Sequence, residues 1–424
     1  MKLNNIMRIG IDLYAFNHSY SGGVSTFSLG LVEGILKSIT DENELILLTS
    51  IENEKIISNL FSHLKVKIVS IHLSRSDRYL NYLIFVLSWI VSEYRLRLWF
   101  DKIFRLAIKR TIESTVDALI IPTTVMNFYN LEIPTILCIH DIQQEFHPEF
   151  FTLIDRINRW APYRLSCYLA TNIQVSSNYI KTCLIEKFKF LYGNEKFLVA
   201  PEGVDIHRFS ESAPCNLPSN LSNEELNQFT LYPAQIWKHK NHKLLMYALA
   251  SYREKTGSEL PCVLTGQDFG YWPEVSRLKE VLKLNKVYYL GKVDFGELIW
   301  LYKNCTSVLA LGLHESSSLP LREGAIFGKI LICADIPPNI ETAVSLNLNL
   351  FDKNNSNSLT YILLSTHAGD ENHLKLAQEN INKALLLQWD FVAKLYVERL
   401  KFLHENYQKK LNNNSTEINT YPLE

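Results

Sequence analysis

Residues 307–335, "SVLALGLHESSSLPLREGAIFGKILICAD", decide the architecture. "SVLALGLHE" is an apolar run that reads as a buried strand ending at His314-Glu315. "LPLREGAIFGK" opens a helix from about Leu319, with Pro320 in the first turn, where a missing N–H costs no helical hydrogen bond. "KILICAD" is a second apolar strand. Strand, helix and strand in so short a span make a right-handed parallel crossover. Glu315 and Glu323 stand at the two ends of the serine-rich loop. A capping box would put a glutamate three residues after the cap. From Ser318 that position is Leu321, so capping does not explain Glu323. The free N–H groups of a helix start suit phosphate, and two carboxylates accept hydrogen bonds from hydroxyls. Phosphate plus many hydroxyls describes a nucleotide-sugar. Two other readings of the pair remain: solvated charges, or a glycosidase acid and nucleophile, which need carboxyls ~5–10 Å apart across a sugar.

The same rhythm runs through most of the chain. "RIGIDLYAF", "NELILLTS", "VKIVSIHL", "DALIIPTT", "TILCIHD" and "TNIQVSS" read as strands in the first half. "FTLYPAQ", "PCVLTG" and "KVYYLGKV" follow in the second, with helical patterns such as "HKLLMYALASYREK" between them. Such alternation specifies parallel sheets. The seam is "SESAPCNLPSNLSNEELNQ", polar and without strand pattern. The expected division is an N-terminal domain over 1–205, a linker over 206–228 and a second domain over 229–385. A closing helix over 386–410 and a polar, frayed tail over 411–424 complete it. Two such sheets facing a central cleft bind ligand beyond their strand C-terminal ends.

The 424 residues allow two or three domains at ~150 residues each, and 47% apolar content is ample for real cores. A net charge of −1 gives no basic field for nucleic acid. The seven cysteines are scattered, without a CxxC pair or zinc spacing, and read as reduced thiols of a cytoplasmic protein. The N-terminus does not read as a signal peptide, because Asp12 interrupts its apolar run. No apolar stretch reaches the ~18 residues of a membrane span.

Three further loops follow strands. "QIWKHKNH" carries Gln235, Lys238 and Lys240, whose ammonium groups can neutralise a diphosphate. "YSGGVSTF" carries Gly22 and Gly23, where backbone can approach a ligand before a helix begins. It lacks GxGxxG, so the dinucleotide fingerprint is absent. "IHDIQQEFHPEF" places His140 at a strand end, where it can orient or polarise a hydroxyl. Each is also readable as a plain loop, turn or buried histidine. The joint placement after strands, in both halves, is the stronger signal.

These segments resemble a family-4 retaining glycosyltransferase of the GT-B fold, of the glycosyl transferase group 1, mannosyltransferase-like kind. "ESSSLPLRE" keeps the spacing of the family pattern E-G-F-G-L-P-x-x-E. "PAQIWKHKNH" resembles the diphosphate loop, and "VSSNYIKTCLIEKF" and "APEGVDIHRF" resemble the segments before the hinge. The resemblance implies that Glu315 binds donor-sugar hydroxyls and Glu323 the ribose. Backbone at Ser318-Leu319 would touch sugar or phosphate, and Lys240 would hold the diphosphate. Gly22-Gly23 would approach phosphate and acceptor, and His140 the reacting carbon. It implies retention by front-face attack without cofactor or metal, and no Asp-x-Asp loop suggests one. GDP-mannose is the first expectation for the donor, with UDP-glucose or UDP-N-acetylglucosamine next. The acceptor would be a growing, lipid-linked saccharide of the cell surface.

Three departures stand out. Gln235 falls where the family has a diphosphate arginine, Ser316 and Ser318 replace glycines, and Glu202 in "PEGVD" stands where asparagine is common. Residues 75–110 hold eight basic and three acidic residues, +5 in 36, amid many aromatics. That suits the anionic inner membrane surface, or two core helices with solvated basic faces. A sugar-nucleotide epimerase of the same fold, or a weakly active nucleotide-sugar-binding scaffold, are the rival functions.

Overall fold

The computed structural model describes residues 6–16, 23–40, 43–72, 106–129, 131–193, 195–206, 209, 215–219, 221–222, 226 and 228–418. The chain divides into two compact units. One comprises Met1–Ser176, Ile180–Gly203 and Trp389–Glu424; the other comprises Ser177–Tyr179 and Val204–Gln388.

The first unit holds β1 (Met7–Asp12), β2 (Asn43–Ser50), β3 (Lys67–Ile71), β4 (Ala118–Ile121), β5 (Thr135–Ile139), β6 (Asn172–Val175) and β7 (Phe197–Val199). They form one parallel sheet in the order β3-β2-β1-β4-β5-β6-β7. "ALII", "TILCI" and "NIQV" are buried at every position. Strands covered on both faces need such unbroken apolar runs. Arg8 fixes the β1–β4 neighbours: its Nη2 and Nε donate to the two oxygens of Asp117, at 2.7 and 3.1 Å.

The second unit holds β8 (Thr230–Pro233), β9 (Cys262–Thr265), β10 (Val287–Tyr289), β11 (Ser307–Ala310), β12 (Ile330–Ala334) and β13 (Asn349–Phe351). Their order is β10-β9-β8-β11-β12-β13, again parallel. Both units are Rossmann-like. In each, the strand order reverses at one point, between β1 and β4 and between β8 and β11. In open parallel sheets ligands bind beyond the strand C-terminal ends at such a reversal.

The helix Trp389–Ile418 belongs to the first unit and packs on the helix Gly23–Ser38. Its anchor is Trp389. A Cβ added to Gly30 would lie 1.9 Å from the indole Nε1, and one added to Gly203 would lie 2.4 Å from the ring. One added to Gly34 would lie 2.8 Å from the Trp389 carbonyl oxygen. The indole occupies the space those side chains would need, and Phe27 meets it edge-on at 5.1 Å.

The structure differs from the sequence reading in three places. β11 ends at Ala310, not at His314-Glu315, so Leu311–Ser318 is free to form a loop. The stretch 206–228 is not a solvent-borne linker throughout, since Phe209, Leu221 and Leu226 are buried in the second unit's core. Scattered apolar side chains, not a periodic run, attach it. The helix continues to Ile418, past the start of the expected tail at 411, because no glycine or proline stops its propagation there. Of the basic segment 75–110, residues up to 105 lie outside the described residues.

Asp12 ends β1 in full burial, with its carboxylate accepting from the Tyr14 N–H at 2.9 Å and from Asn127 Nδ2 at 3.1 Å. Burial pushes its pKa up to about 6, against the pull of those two donors. The folded chain therefore holds this proton more tightly than the unfolded chain. Stability is lost as pH rises from the ordinary aspartate value of about 4 through about 6.

Two stability outcomes follow from this packing. Gly30→Ala is expected to cost about 1–3 kcal/mol by overpacking against Trp389, whereas Gly23→Ala, whose Cβ meets open space, leaves the melting temperature nearly unchanged. Equal melting temperatures for both variants would contradict the slot. Asp12→Asn cannot ionise, so it should lack the wild type's loss. Denaturant titrations between pH 4 and 7 should show the two diverging by up to about 3 kcal/mol; parallel pH profiles would contradict the buried-acid account.

Candidate functional site

The loop after β8 is built from short-range turns. Ile236 N–H donates to the Gln267 carbonyl at 2.9 Å, which ties this loop to the one after β9. Lys238–Lys240 form one 3-10 turn. Asn241 then adopts the left-handed conformation (φ 58°, ψ 34°), which asparagine tolerates, and the helix His242–Thr256 begins. The Asn241 amide donates to the Lys353 carbonyl at 3.0 Å and secures the reversal. His242 is fully buried against Tyr232, and burial followed by the charge of Lys240 lowers its pKa to about 3, so it is neutral.

The loop after β11 meets the β8 loop directly, with Leu313 N–H donating to the His239 carbonyl at 2.8 Å. Across this seam Lys240 Nζ donates to Glu315 Oε1 at 2.6 Å. The side chains are 22% and 13% exposed, so this charge-assisted bond is shielded yet reachable. Gly312 makes room for it: a Cβ there would stand 2.2 Å from Glu315 Oε1. The Tyr232 hydroxyl fixes the turn from below by donating to the Lys240 carbonyl at 2.5 Å.

The helix Leu319–Ile326 carries Pro320 in its first turn, and the Ser318 side chain does not cap it. The Ser318 hydroxyl instead donates to Asn339 Oδ1 at 2.8 Å, and Asn339 Nδ2 donates to the Ala334 carbonyl at 2.9 Å. Serine is unstrained here. Among the described residues, positive φ outside glycine occurs at Gln228, Asn241 and Lys283, and Ser318 has φ −97°. Glu323 faces the buried Tyr302, whose hydroxyl donates to its Oε2 at 2.5 Å. Burial, then the adjacent carboxylate, holds that phenol well above its ordinary pKa.

Lys240 and Glu315 are thus brought together, and Ser318, Leu319 and Glu323 share the adjoining helix start. Gln235 and Lys238 are engaged elsewhere. Gln235 Oε1 accepts from Trp237 Nε1 at 3.0 Å, and Trp237 stacks on Phe269 at 4.5 Å. Lys238 Nζ lies 5.9 Å from the Tyr271 ring centroid. Gly23 is the first residue of its helix, and Gly22 lies outside the described residues.

His140 lies in the first unit, immediately after β5. Its Nε2 donates to the Pro122 carbonyl at 2.8 Å, and its Nδ1 lies 3.8 Å from Glu202 Oε1. Phe27 meets the ring edge-on at 4.7 Å. Burial lowers the imidazole pKa, but Glu202 and the Pro122 carbonyl outweigh it and raise the value overall. Sequence reasoning missed Asn339 and Tyr302, which carry no motif of their own. It noted Glu202 only as an unusual residue. Among the described residues no group of three or more His, Cys, Asp or Glu could hold a metal ion.

Residues 217–382 match the family described as Glycosyl transferases group 1. No curated protein matches the chain by sequence. Among solved structures, a glycosyltransferase from Rickettsia africae is 16% identical, with a TM-score of 0.63 over 95% of this chain and 100% of that one. Anabaena HepE in complex with UDP and glucose is 17% identical, with a TM-score of 0.64 over 94% and 100%. The sucrose-phosphate synthase of Thermosynechococcus elongatus is 12% identical, with a TM-score of 0.63 over 94% and 100%. The chain therefore has the GT-B fold of two Rossmann-like domains and, over residues 217–382, is similar to glycosyl transferases group 1.

Proposed function

We propose that the protein is a glycosyltransferase that moves a sugar from a nucleoside-diphosphate sugar to a saccharide acceptor. The observation that carries this reading is the Lys240–Glu315 pair, set where the second sheet reverses its strand order. Lys240 is the cation that would neutralise the diphosphate and stabilise the departing nucleotide. Glu315 would take the donor-sugar hydroxyls and Glu323 the ribose, with Tyr302 orienting its carboxylate. Ser318 and Leu319 offer the helix start to the phosphates. Gln235 is neutral and held by Trp237, so the charge duty rests on Lys240.

Retention without a metal rests on the family resemblance, as does GDP-mannose as donor. The HepE complexes, which contain UDP and UDP-glucose, favour a uridine donor by structural likeness. A lipid-linked acceptor at the inner membrane face fits the charge of residues 75–110. It also fits the exposed Leu153, Ile154 and Trp160 beside exposed Arg156 on one helix of the first unit. Among the described residues no helix is long and apolar enough to cross a membrane.

A thermal-shift series with UDP, GDP, ADP and their sugars tests the donor. One nucleotide class is expected to raise the melting temperature by binding only the folded chain; no shift with any of them would point to a degenerate or acceptor-first protein, and donor binding without turnover to the nucleotide-sugar-binding scaffold. In the same system Glu323→Ala should weaken nucleotide binding by about 10–100-fold. Lys240→Ala should lower transfer by about 100-fold or more. Normal binding and transfer in both variants would remove this assignment, and sugar turnover without acceptor would favour the epimerase.

A further inference from the structure

The surroundings of His140 carry an inference about how that residue is charged. Its Nε2 faces the Pro122 carbonyl at 2.8 Å, and a carbonyl can only accept. That nitrogen therefore carries a hydrogen in every protonation state, which fixes the neutral tautomer. In that tautomer Nδ1 carries a lone pair, and Glu202 Oε1 lies 3.8 Å from it. Lone pair against carboxylate is repulsive in a site where both side chains are at most 15% exposed. A proton on Nδ1 converts the repulsion into an ion pair.

We propose that Glu202 is a positioning residue that, with the Pro122 carbonyl, holds His140 as an imidazolium, so that His140 acts as a fixed positive charge and not as a proton acceptor. Among the described residues, the charged groups acting on the ring are Glu202 and its chain neighbour Asp141. The helix Gly23–Ser38 contributes Phe27, which is apolar. The helix Trp389–Ile418 contributes Trp389 against Phe27, and Tyr396, whose phenol burial and the nearby Cys138 and Glu202 keep neutral. No second cation among these groups opposes the proton. At 3.8 Å the Nδ1–H···Oε1 contact is an ion pair without a closed hydrogen bond, so an oxygen of a ligand can compete for that hydrogen. The functional consequence rests on the glycosyltransferase reading: the imidazolium would stabilise negative charge on a donor.

The test is a carbon-13 NMR titration of the full chain labelled at histidine Cε1, with the His140 signal identified by its loss in His140→Gln. The wild-type signal is expected to titrate above the ordinary histidine value of about 6.5. In Glu202→Gln it should fall by at least about one pH unit. A wild-type value below the ordinary one, or the same value in both proteins, overturns the proposal. If Glu202→Gln does not fold, Glu202→Asn supplies the comparison, and the wild-type titration alone still decides the sign. Where transfer is measurable, activity should decline as pH rises through the His140 titration, and the decline should move to lower pH in Glu202→Gln. An unmoved profile counts against the imidazolium. The NMR result stands whether or not a donor binds, so failure of the glycosyltransferase reading is seen separately, as absence of nucleotide binding.

Discussion

The pairing of β11 with β8 brings together two loops that are far apart in sequence. Without that crossover, Leu313 could not donate to the His239 carbonyl, and Lys240 could not reach Glu315. The sheet supplies the distance, and three small features supply the aim. Asn241 reverses the chain in the left-handed conformation, Tyr232 holds the Lys240 carbonyl, and Gly312 leaves space for the Glu315 carboxylate. Removing one partner of the ion pair would strand the other charge in a shielded place, which costs more than the pair contributes when intact.

The first unit depends on a different constraint. Gly30, Gly34 and Gly203 leave a slot that only a side chain from the end of the chain fills, and Trp389 fills it. The same indole backs Phe27, which in turn meets His140. His140 is therefore held by residues from separated stretches of the chain, and on the proposal above its charge is set by Glu202, the neighbour of that glycine slot.

Much of this was legible in the sequence, because parallel strands buried on both faces leave unbroken apolar runs and helices leave a different period. Lys240, Glu315 and His140 stand out in the sequence because each lies in a segment that follows such a run, and Glu323 because it lies on the helix that comes next. What could not be read were tertiary partners with no local signature. Asn339 under Ser318, Tyr302 under Glu323 and Trp237 on Gln235 are set by packing across the sheet or by a turn. The exact end of β11 was misplaced because the apolar pattern continues through Leu311 and Leu313 after the ladder with β12 stops at Ala310. Whether Ser318, in place of a family glycine, needs a glycine-like conformation could not be read from the sequence either; its φ is an ordinary −97°.

On the proposed function, Lys240 and Glu315 hold each other until a donor separates them. A crystal structure of the chain with its preferred nucleoside diphosphate tests it most directly. Lys240 Nζ is expected to turn from Glu315 to a phosphate oxygen at about 2.7–2.9 Å, with the ribose hydroxyls on Glu323. A nucleotide bound elsewhere, with the Lys240–Glu315 contact intact, would contradict it.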